Sequence, residues 1–222
     1  MPAESQFKHF VYGFKSYLNN MGFPEPRGLN MPKIRRSKKL PRILSTVSVV
    51  HLLNSCELYS KTLLGVIYDC GLRASEACNL EWTDIDVHRC MVHIRQSKNN
   101  KDRVVPISGN TIIVLARYHK EFYTPGFVFK SLNGKDPITT AYIRILFKQG
   151  LRLAGLDESL TTHTLRHSYA THLLELGEDI QTVQKRLGHK NITTTMIYLH
   201  VAKLERHDCI SLLDVIVPAR KK

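Results

Sequence analysis

The stretch HTLRHSYATHLLELGEDIQTVQKRLGHKNITTTMIYLH, residues 163–200, decides the fold and holds most of the candidate chemistry. Apolar residues at helical spacing predict a first helix that ends at Gly177. His163 and Arg166 stand three residues apart at its start, so both side chains can project from the same end and grip a phosphate. The buried stripe of this helix is predicted to consist of Leu165, Leu173 and Leu174.

Two further polar side chains follow in the same stretch. Asp179 predicts the cap of a second helix, and Gly188 ends it, so that His189 is presented immediately after the turn. Tyr198 comes nine residues later, and it is one of nine tyrosines. A tyrosine at helical spacing more often packs in a core than acts as a nucleophile. The distance from His189 sets Tyr198 apart from the other tyrosines.

The histidines of this stretch also raise a zinc alternative. His163 and His167 are four residues apart, as in helical zinc motifs. No glutamate completes an H-E-x-x-H motif, and no cysteine pair lies nearby. We therefore predict neither a metal ligand nor a cofactor.

The composition indicates a globular protein with a polyanionic partner. The chain has 222 residues, 43% of them apolar, which is enough for one cored domain with a small appendage. Its 32 Lys and Arg against 19 Asp and Glu leave a net charge of +13. Nucleic acid is the leading partner. A basic surface that only aids solubility is the alternative.

The N-terminus MPAESQFKHF is too polar for a signal peptide. The apolar runs are far too short to span a bilayer, so we predict a cytoplasmic protein without a membrane partner. Five cysteines, without C-x-x-C pairing, predict reduced and mostly buried thiols.

Hydrophobic periodicity predicts a mostly helical protein with a small antiparallel β-sheet, an α+β fold. The folded domain is predicted to begin near Leu40 and to include a β-hairpin over residues 86–107 and a short buried strand at Phe127–Phe129. The predicted helices cover about residues 7–22, 46 onward behind a Ser45 cap, 58–70, a short helix up to Leu80, 111–122, and 141–154 behind a Thr140 cap.

A proline-rich and basic segment joins the first predicted helix to this domain. It suits an extended linker that tracks a phosphate backbone, although a solvated charge run is equally compatible. Its candidate DNA-binding residues are Lys33, Arg35, Arg36, Lys38 and Lys39.

Two more cationic side chains stand in marked positions upstream of residue 163. Arg73 follows a predicted buried helix and the helix-ending Gly71, which holds its backbone while the guanidinium reaches outward. Lys98 lies at the predicted hairpin tip, where a surface lysine is the alternative. Lys101 and Arg103, beside it, are further candidates for DNA contact.

These motifs together resemble the tyrosine recombinases, which include phage and integron integrases and chromosome-dimer resolvases. The resemblance covers about residues 40–215, and its ending looks most similar to integron-type integrases. Its signatures are GLRASE with Arg73, SKNNKDRVVPI with Lys98, HTLRHSYATHLL with His163 and Arg166, and LGHKNITTTMIY with His189 and Tyr198.

The resemblance implies a site-specific recombinase or integrase of a mobile genetic element, which works on double-stranded DNA without metal or ATP. It implies that Tyr198 forms a 3′-phosphotyrosyl intermediate while two arginines clamp the phosphate. It further implies a base such as His163, a proton donor in Lys98 for the departing 5′-oxygen, and a phosphate ligand in His189. A homotetramer on DNA is the expected assembly, with accessory proteins unknown.

The chain departs from the family pattern at its N-terminus. Residues 1–39 resemble one helix and the tether of a core-binding domain, and residues 40–222 resemble the catalytic domain with its tail. We therefore weigh strand exchange against a non-catalytic DNA-binding remnant, with type IB topoisomerase activity third. The exposed aromatic face of Phe7, Phe10 and Phe14 is predicted to be a liability or a partner site.

Overall fold

The computed structural model describes residues 4–23, 40–95, 102–123, 125–131 and 134–202. The chain forms two compact units, Met1–Lys39 and Leu40–Lys222. Within the described ranges, no helix is long and apolar enough to cross a lipid bilayer.

The first unit contains the helix α1 (Glu4–Asn20). Phe10 and Phe14 are 70% and 43% exposed, and their rings stack with centroids 6.3 Å apart. The predicted exposed aromatic face is therefore present at these two residues, whereas the side chain of Phe7 lies outside the described residues.

The second unit is mostly helical with one small sheet, which confirms the predicted fold class. Its helices are α2 (Thr46–Asn54), α3 (Leu58–Asp69), α4 (Ala74–Cys78), α5 (Gly109–Phe122), α6 (Thr140–Leu153), α7 (His163–Glu175), α8 (Ile180–Leu187) and α9 (Ile192–Met196). Its strands β1 (Ile85–Asp86), β2 (Met91–Ile94) and β3 (Arg103–Pro106) form an antiparallel sheet in the order β1-β2-β3. Val92 lies opposite Val105 and Ile94 opposite Arg103, so the predicted hairpin is confirmed.

Local capping explains where several helices begin. The Ser45 side chain accepts a hydrogen bond from the Ser48 amide at the start of α2, as predicted. The predicted cap at Thr140 was wrong by one residue: the Thr139 side chain accepts from the Tyr142 amide. The capping residue stands immediately before the first turn of a helix, so Thr140 is the first helical residue.

The predicted strand at Phe127–Phe129 was wrong. Phe127 makes an isolated bridge with Glu81, while the Val128 amide donates to the Leu80 carbonyl at 2.7 Å. Phe129 instead accepts from the Ile138 amide at 3.0 Å. The segment crosses between different neighbours and therefore never forms a continuous ladder.

Helix α7 is buried almost all round, because it is packed against α2, α3 and α8. Small residues allow this close approach: Ser168, Ala170 and Thr171 are fully buried. Leu165 and Leu174 are buried as predicted, whereas Leu173 is only partly buried. A main core lies around α3, α5 and α6, and a second cluster joins α7 and α8 to Tyr198.

Candidate active site

The carboxylate of Glu76 organises the first part of the site. Its Oε2 accepts from the Arg73 amide at 2.8 Å, and its Oε1 accepts from the Arg73 guanidinium at 2.7 Å. Glu76 therefore fixes both the backbone and the side chain of Arg73 at the start of α4, and 31% of the Arg73 side chain still faces solvent. An arginine held in this way can meet an incoming anion without being reordered.

Arg103 approaches the same carboxylate from β3. Two of its nitrogens donate to Glu76 at 2.9 and 2.7 Å, and its Nε donates to the Arg186 carbonyl at 2.7 Å. Only 9% of its side chain is exposed. The structure therefore argues against the predicted DNA contact of Arg103: its side chain points inward, because a buried carboxylate needs charged partners.

Arg166 joins this cluster from α7 and is buried. It donates to the Gly71 carbonyl at 2.7 Å and to the Leu187 carbonyl at 2.5 Å, and it lies 3.7 Å from Glu76. Burial and the charge of Arg73 lower the pKa of Arg166 to about 10, so it remains cationic at neutral pH. Three guanidiniums around one carboxylate leave the centre of the site positively charged.

His189 is presented by the left-handed Gly188 at the end of α8, as predicted. Its Nδ1 lies 2.9 Å from the hydroxyl of Thr195. Its ring is nearly parallel to that of Tyr198, at 14°, with centroids 6.4 Å apart. Burial, followed by the charges of Arg166 and Arg73, lowers the pKa of His189 to about 4.

Tyr198 lies in the turn after α9, and only 1% of it is exposed. Its hydroxyl is 2.9 Å from Nδ1 of His167. Burial raises the pKa of the Tyr198 hydroxyl, and the charges of Arg166 and Arg73 oppose that rise. The phenol is therefore neutral at neutral pH in the free protein.

His163 stands one helical turn before His167 and is exposed. The two imidazole centroids are 6.3 Å apart. Desolvation of the ring, then the charges of Arg166 and Arg73, lower the pKa of His163. The structure therefore brings His163 to the edge of the site, whereas His167 holds the Tyr198 hydroxyl.

Five of the six predicted catalytic residues thus converge, since Arg73, His163, Arg166, His189 and Tyr198 surround one positively charged site. Lys98 lies outside the described residues, as do Lys33, Arg35, Arg36, Lys38, Lys39 and Lys101. In the part of the chain that the structure describes, no group of three His, Cys, Asp or Glu side chains is placed to hold a metal ion.

Sequence reasoning missed the roles of His167 and Arg103 and left that of Glu76 open. The spacing of His167 from His163 indicates only a zinc pattern. The only signal for Glu76 was its place three residues after Arg73. The arrangement as a whole is an anion-binding site around a phenol, which is suited to phosphoryl transfer onto tyrosine.

Comparisons with known proteins agree with this class. Residues 35–205 match the model of the phage integrase family. A tyrosine recombinase of Thermosipho africanus is 36% identical over 222 residues, which cover 96% of this chain and 77% of the relative. The tyrosine recombinase XerA of Pyrococcus horikoshii is 36% identical over 211 residues, which cover 93% of this chain and 73% of the relative.

Solved structures show the same fold. A crystal structure of XerA recombinase has a TM-score of 0.68 at 24% identity and covers 100% of this chain and 78% of its own. A post-cleavage complex of XerH recombinase with a palindromic difH substrate has a TM-score of 0.74 at 25% identity. The match covers 89% of this chain and 63% of the XerH chain. The chain belongs to the phage integrase family and is a tyrosine-type site-specific DNA recombinase. The narrower resemblance to integron-type integrases stays a prediction.

Proposed function

We propose that the chain cleaves and rejoins double-stranded DNA through a 3′-phosphotyrosyl intermediate at Tyr198, without metal or ATP. The Tyr198 oxygen attacks the scissile phosphorus, and the 5′-oxygen leaves as a hydroxyl. The covalent intermediate stores the energy of the broken bond for religation. The observation that carries this proposal is the setting of Tyr198: its hydroxyl meets Nδ1 of His167, its ring lies nearly parallel to that of His189, and the charge of Arg166 acts on it.

The other residues take roles that fit their positions. Arg73 and Arg166 hold the non-bridging oxygens, where fixed guanidiniums offset the charge of the transition state. His189 hydrogen-bonds the phosphate, and His163 lies at the rim, where it can assist the approach of DNA. Lys98 protonates the departing 5′-oxygen. A homotetramer on DNA is the proposed assembly, since reciprocal exchange between two duplexes involves four strands.

Trapping the covalent adduct tests this function. The probe is a pool of random-sequence duplexes, each nicked next to the cleavable position so that the short 5′-hydroxyl product diffuses away. We expect an SDS-resistant protein–DNA adduct from the unaltered chain and none from Tyr198→Phe. Tyr169→Phe is the matched control, because Tyr169 is also buried in the second cluster. Sequencing the attached DNA identifies the target site.

The burial of Tyr198 supports a second candidate, a DNA-binding remnant that does not cleave. This candidate predicts that the pool is bound in a salt-sensitive way while no adduct forms. Relaxation of supercoiled plasmid without a preferred sequence would instead indicate a type IB topoisomerase activity.

A further inference from the structure

We propose that His167 is a catalytic residue of this recombinase: its Nδ1 takes the proton of Tyr198 as the phenol attacks the phosphate, and returns it when the strand is rejoined. This inference rests on the proposed function. It assigns the base to His167, one turn along α7 from His163, the base expected from the sequence.

The geometry meets the first requirement for a general base, which is contact with the proton that it removes. Nδ1 of His167 lies 2.9 Å from the Tyr198 hydroxyl. The two rings lie with centroids 5.6 Å apart and are tilted by 48°. When the imidazole carries its proton on Nε2, the phenol donates directly to Nδ1. Both residues belong to packed elements, α7 and the turn after α9, so this contact is held by the fold.

The charges around His167 keep its ring neutral in the free protein. His163 and Arg166 face it from its own helix, and His189 faces it from the turn after α8. Burial, then His163 and Arg166, lower the pKa of His167 to about 4. Nδ1 is therefore available to accept a proton at neutral pH. The phenol nevertheless keeps its proton, because burial raises the pKa of Tyr198.

DNA binding changes this balance. A phosphodiester between Arg73 and Arg166 brings a negative charge that offsets the guanidinium field at His167. The same charge makes an imidazolium easier to form, so the proton affinity of His167 rises when DNA is bound. The free enzyme therefore holds a protonated phenol, and the transfer of its proton to His167 accompanies the attack on the bound phosphate.

The step balances in atoms and charge. The bond from the Tyr198 oxygen to phosphorus forms, and the bond from phosphorus to the 5′-oxygen breaks. The phenolic proton passes to Nδ1 of His167, and the 5′-oxygen receives a proton from the general acid, proposed to be Lys98. In religation the 5′-oxygen attacks, its proton returns to that acid, and the departing phenolate recovers its proton from His167.

A His167→Gln variant tests the role, because glutamine can hold the phenol by a hydrogen bond but cannot take its proton at neutral pH. The measurement is the single-turnover rate of adduct formation on the nicked duplex selected by the unaltered chain. We expect a fall of about 100-fold or more at pH 7, which is the usual contribution of a general base. Between pH 7 and 9 the rate of the variant is expected to rise about tenfold per pH unit, as hydroxide replaces the missing base.

The matched control is His172→Gln. His172 lies on the same helix and makes the same kind of bond, with Nδ1 2.8 Å from the Tyr68 hydroxyl, but burial, and not a neighbouring arginine, lowers its pKa. We expect its cleavage rate and pH profile to follow those of the unaltered chain. Folding of both variants is checked by thermal unfolding and by binding to the same duplex.

A second measurement covers the case in which His167→Gln folds poorly. In His167→Ala, added imidazole is expected to restore adduct formation, and 4-methylimidazole, a stronger base, to restore more of it. A His167→Gln rate within about threefold of the unaltered chain would overturn the inference, as would a folded His167→Ala that imidazole does not rescue. If His163→Gln, and not His167→Gln, shows the slowed cleavage and the tenfold rise per pH unit, the base is His163. If the unaltered chain forms no adduct, the proposed function itself fails.

Discussion

Glu76 is a single buried carboxylate that holds three arginines from three separate elements. Burial opposes its ionisation, but hydrogen bonds and charge from Arg103, then the Arg73 amide and the charge of Arg166, lower its pKa to about 2. Its side chain is 1% exposed, so these bonds act in a medium of low dielectric constant. The residue is therefore needed for the shape of the site even though it repels the phosphate.

Replacing Glu76 by Gln is expected to lower the free energy of unfolding by about 3–5 kcal/mol, because it leaves buried guanidiniums without their counter-charge. Urea unfolding at pH 7 measures this loss. Glu158→Gln is the control, since Glu158 pairs with Arg152 on the surface, and we expect its midpoint to be unchanged. Equal midpoints for the two variants would contradict this account of Glu76.

The histidines of the site predict how stability depends on pH. Burial, followed by neighbouring positive charges, lowers the pKa of His167 and of His189 from 6.5 to about 4. The folded protein therefore binds fewer protons than the unfolded chain between these values. The contribution of these two histidines to the free energy of unfolding is therefore fully present above pH 6.5, and it is lost as the pH drops toward 4.

We expect the urea midpoint to decline steadily from pH 6.5 to 4.5, and to decline less steeply in His167→Gln. The stabilisation from Glu76 is expected to persist through this window, because its lowered pKa of about 2 confines that loss to more acidic solutions, below 4.5. Urea titrations at intervals of half a pH unit measure the slope. A midpoint that stays level from pH 7 to 4.5 would mean that the histidines are not held neutral by the fold.

At the scale of elements, the turn between α3 and α4 connects the core to the site. Gly71 has a φ of +59°, and a Cβ at this position would lie 2.4 Å from the ring of Tyr169. The Gly71 carbonyl also accepts the hydrogen bond of Arg166. The turn therefore needs glycine for its backbone conformation and also for the close approach of α7.

Gly71→Ala is expected to destabilise the fold more than Gly155→Ala does. Gly155 has a similar φ of +61°, but a Cβ there would meet nothing within 4 Å. The alanine at 155 costs only the left-handed backbone, about 1–2 kcal/mol. The alanine at 71 also displaces the Tyr169 ring, which adds about 1–3 kcal/mol. Thermal and urea unfolding of the pair measure the difference, and equal losses would rule out the steric part.

At the scale of the whole molecule, the net charge of +13 sets how the chain meets DNA. Phosphate contacts release counterions, so we expect affinity for any duplex to fall steeply with salt concentration. Lys38 and Lys39, in the predicted linker, stay predicted contacts. The double substitution Lys38→Gln with Lys39→Gln is expected to reduce the slope of log K against log salt by about two. Fluorescence anisotropy from 50 to 300 mM salt checks this, and an unaltered slope would place both lysines away from the phosphates.

The pattern of residues alone determined the helices, the hairpin and the order of the chemical groups along the chain. Caps such as Ser45 act within three or four residues, and a glycine stop such as Gly188 acts on the turn that it ends. Neighbouring residues contain all the information for such features. That is why the fold class was predictable from the sequence pattern, whereas the convergence of Arg73, Arg166 and Tyr198 was expected only from the resemblance to the tyrosine recombinases.

The tertiary structure decided which side chains touch. The bond from Arg103 to Glu76 spans 27 residues, that from His167 to Tyr198 spans 31, and that from Arg166 to Gly71 spans 95. His163 and His167 lie on the same helix, so periodicity predicts that both can reach the site but not which one meets the phenol. Likewise, the strand pattern places Arg103 in the hairpin, but it does not predict whether the side chain faces solvent or a buried carboxylate. Only the packing of α4, β3 and α7 around Glu76 makes these choices, because the burial of that charge depends on all three elements at once.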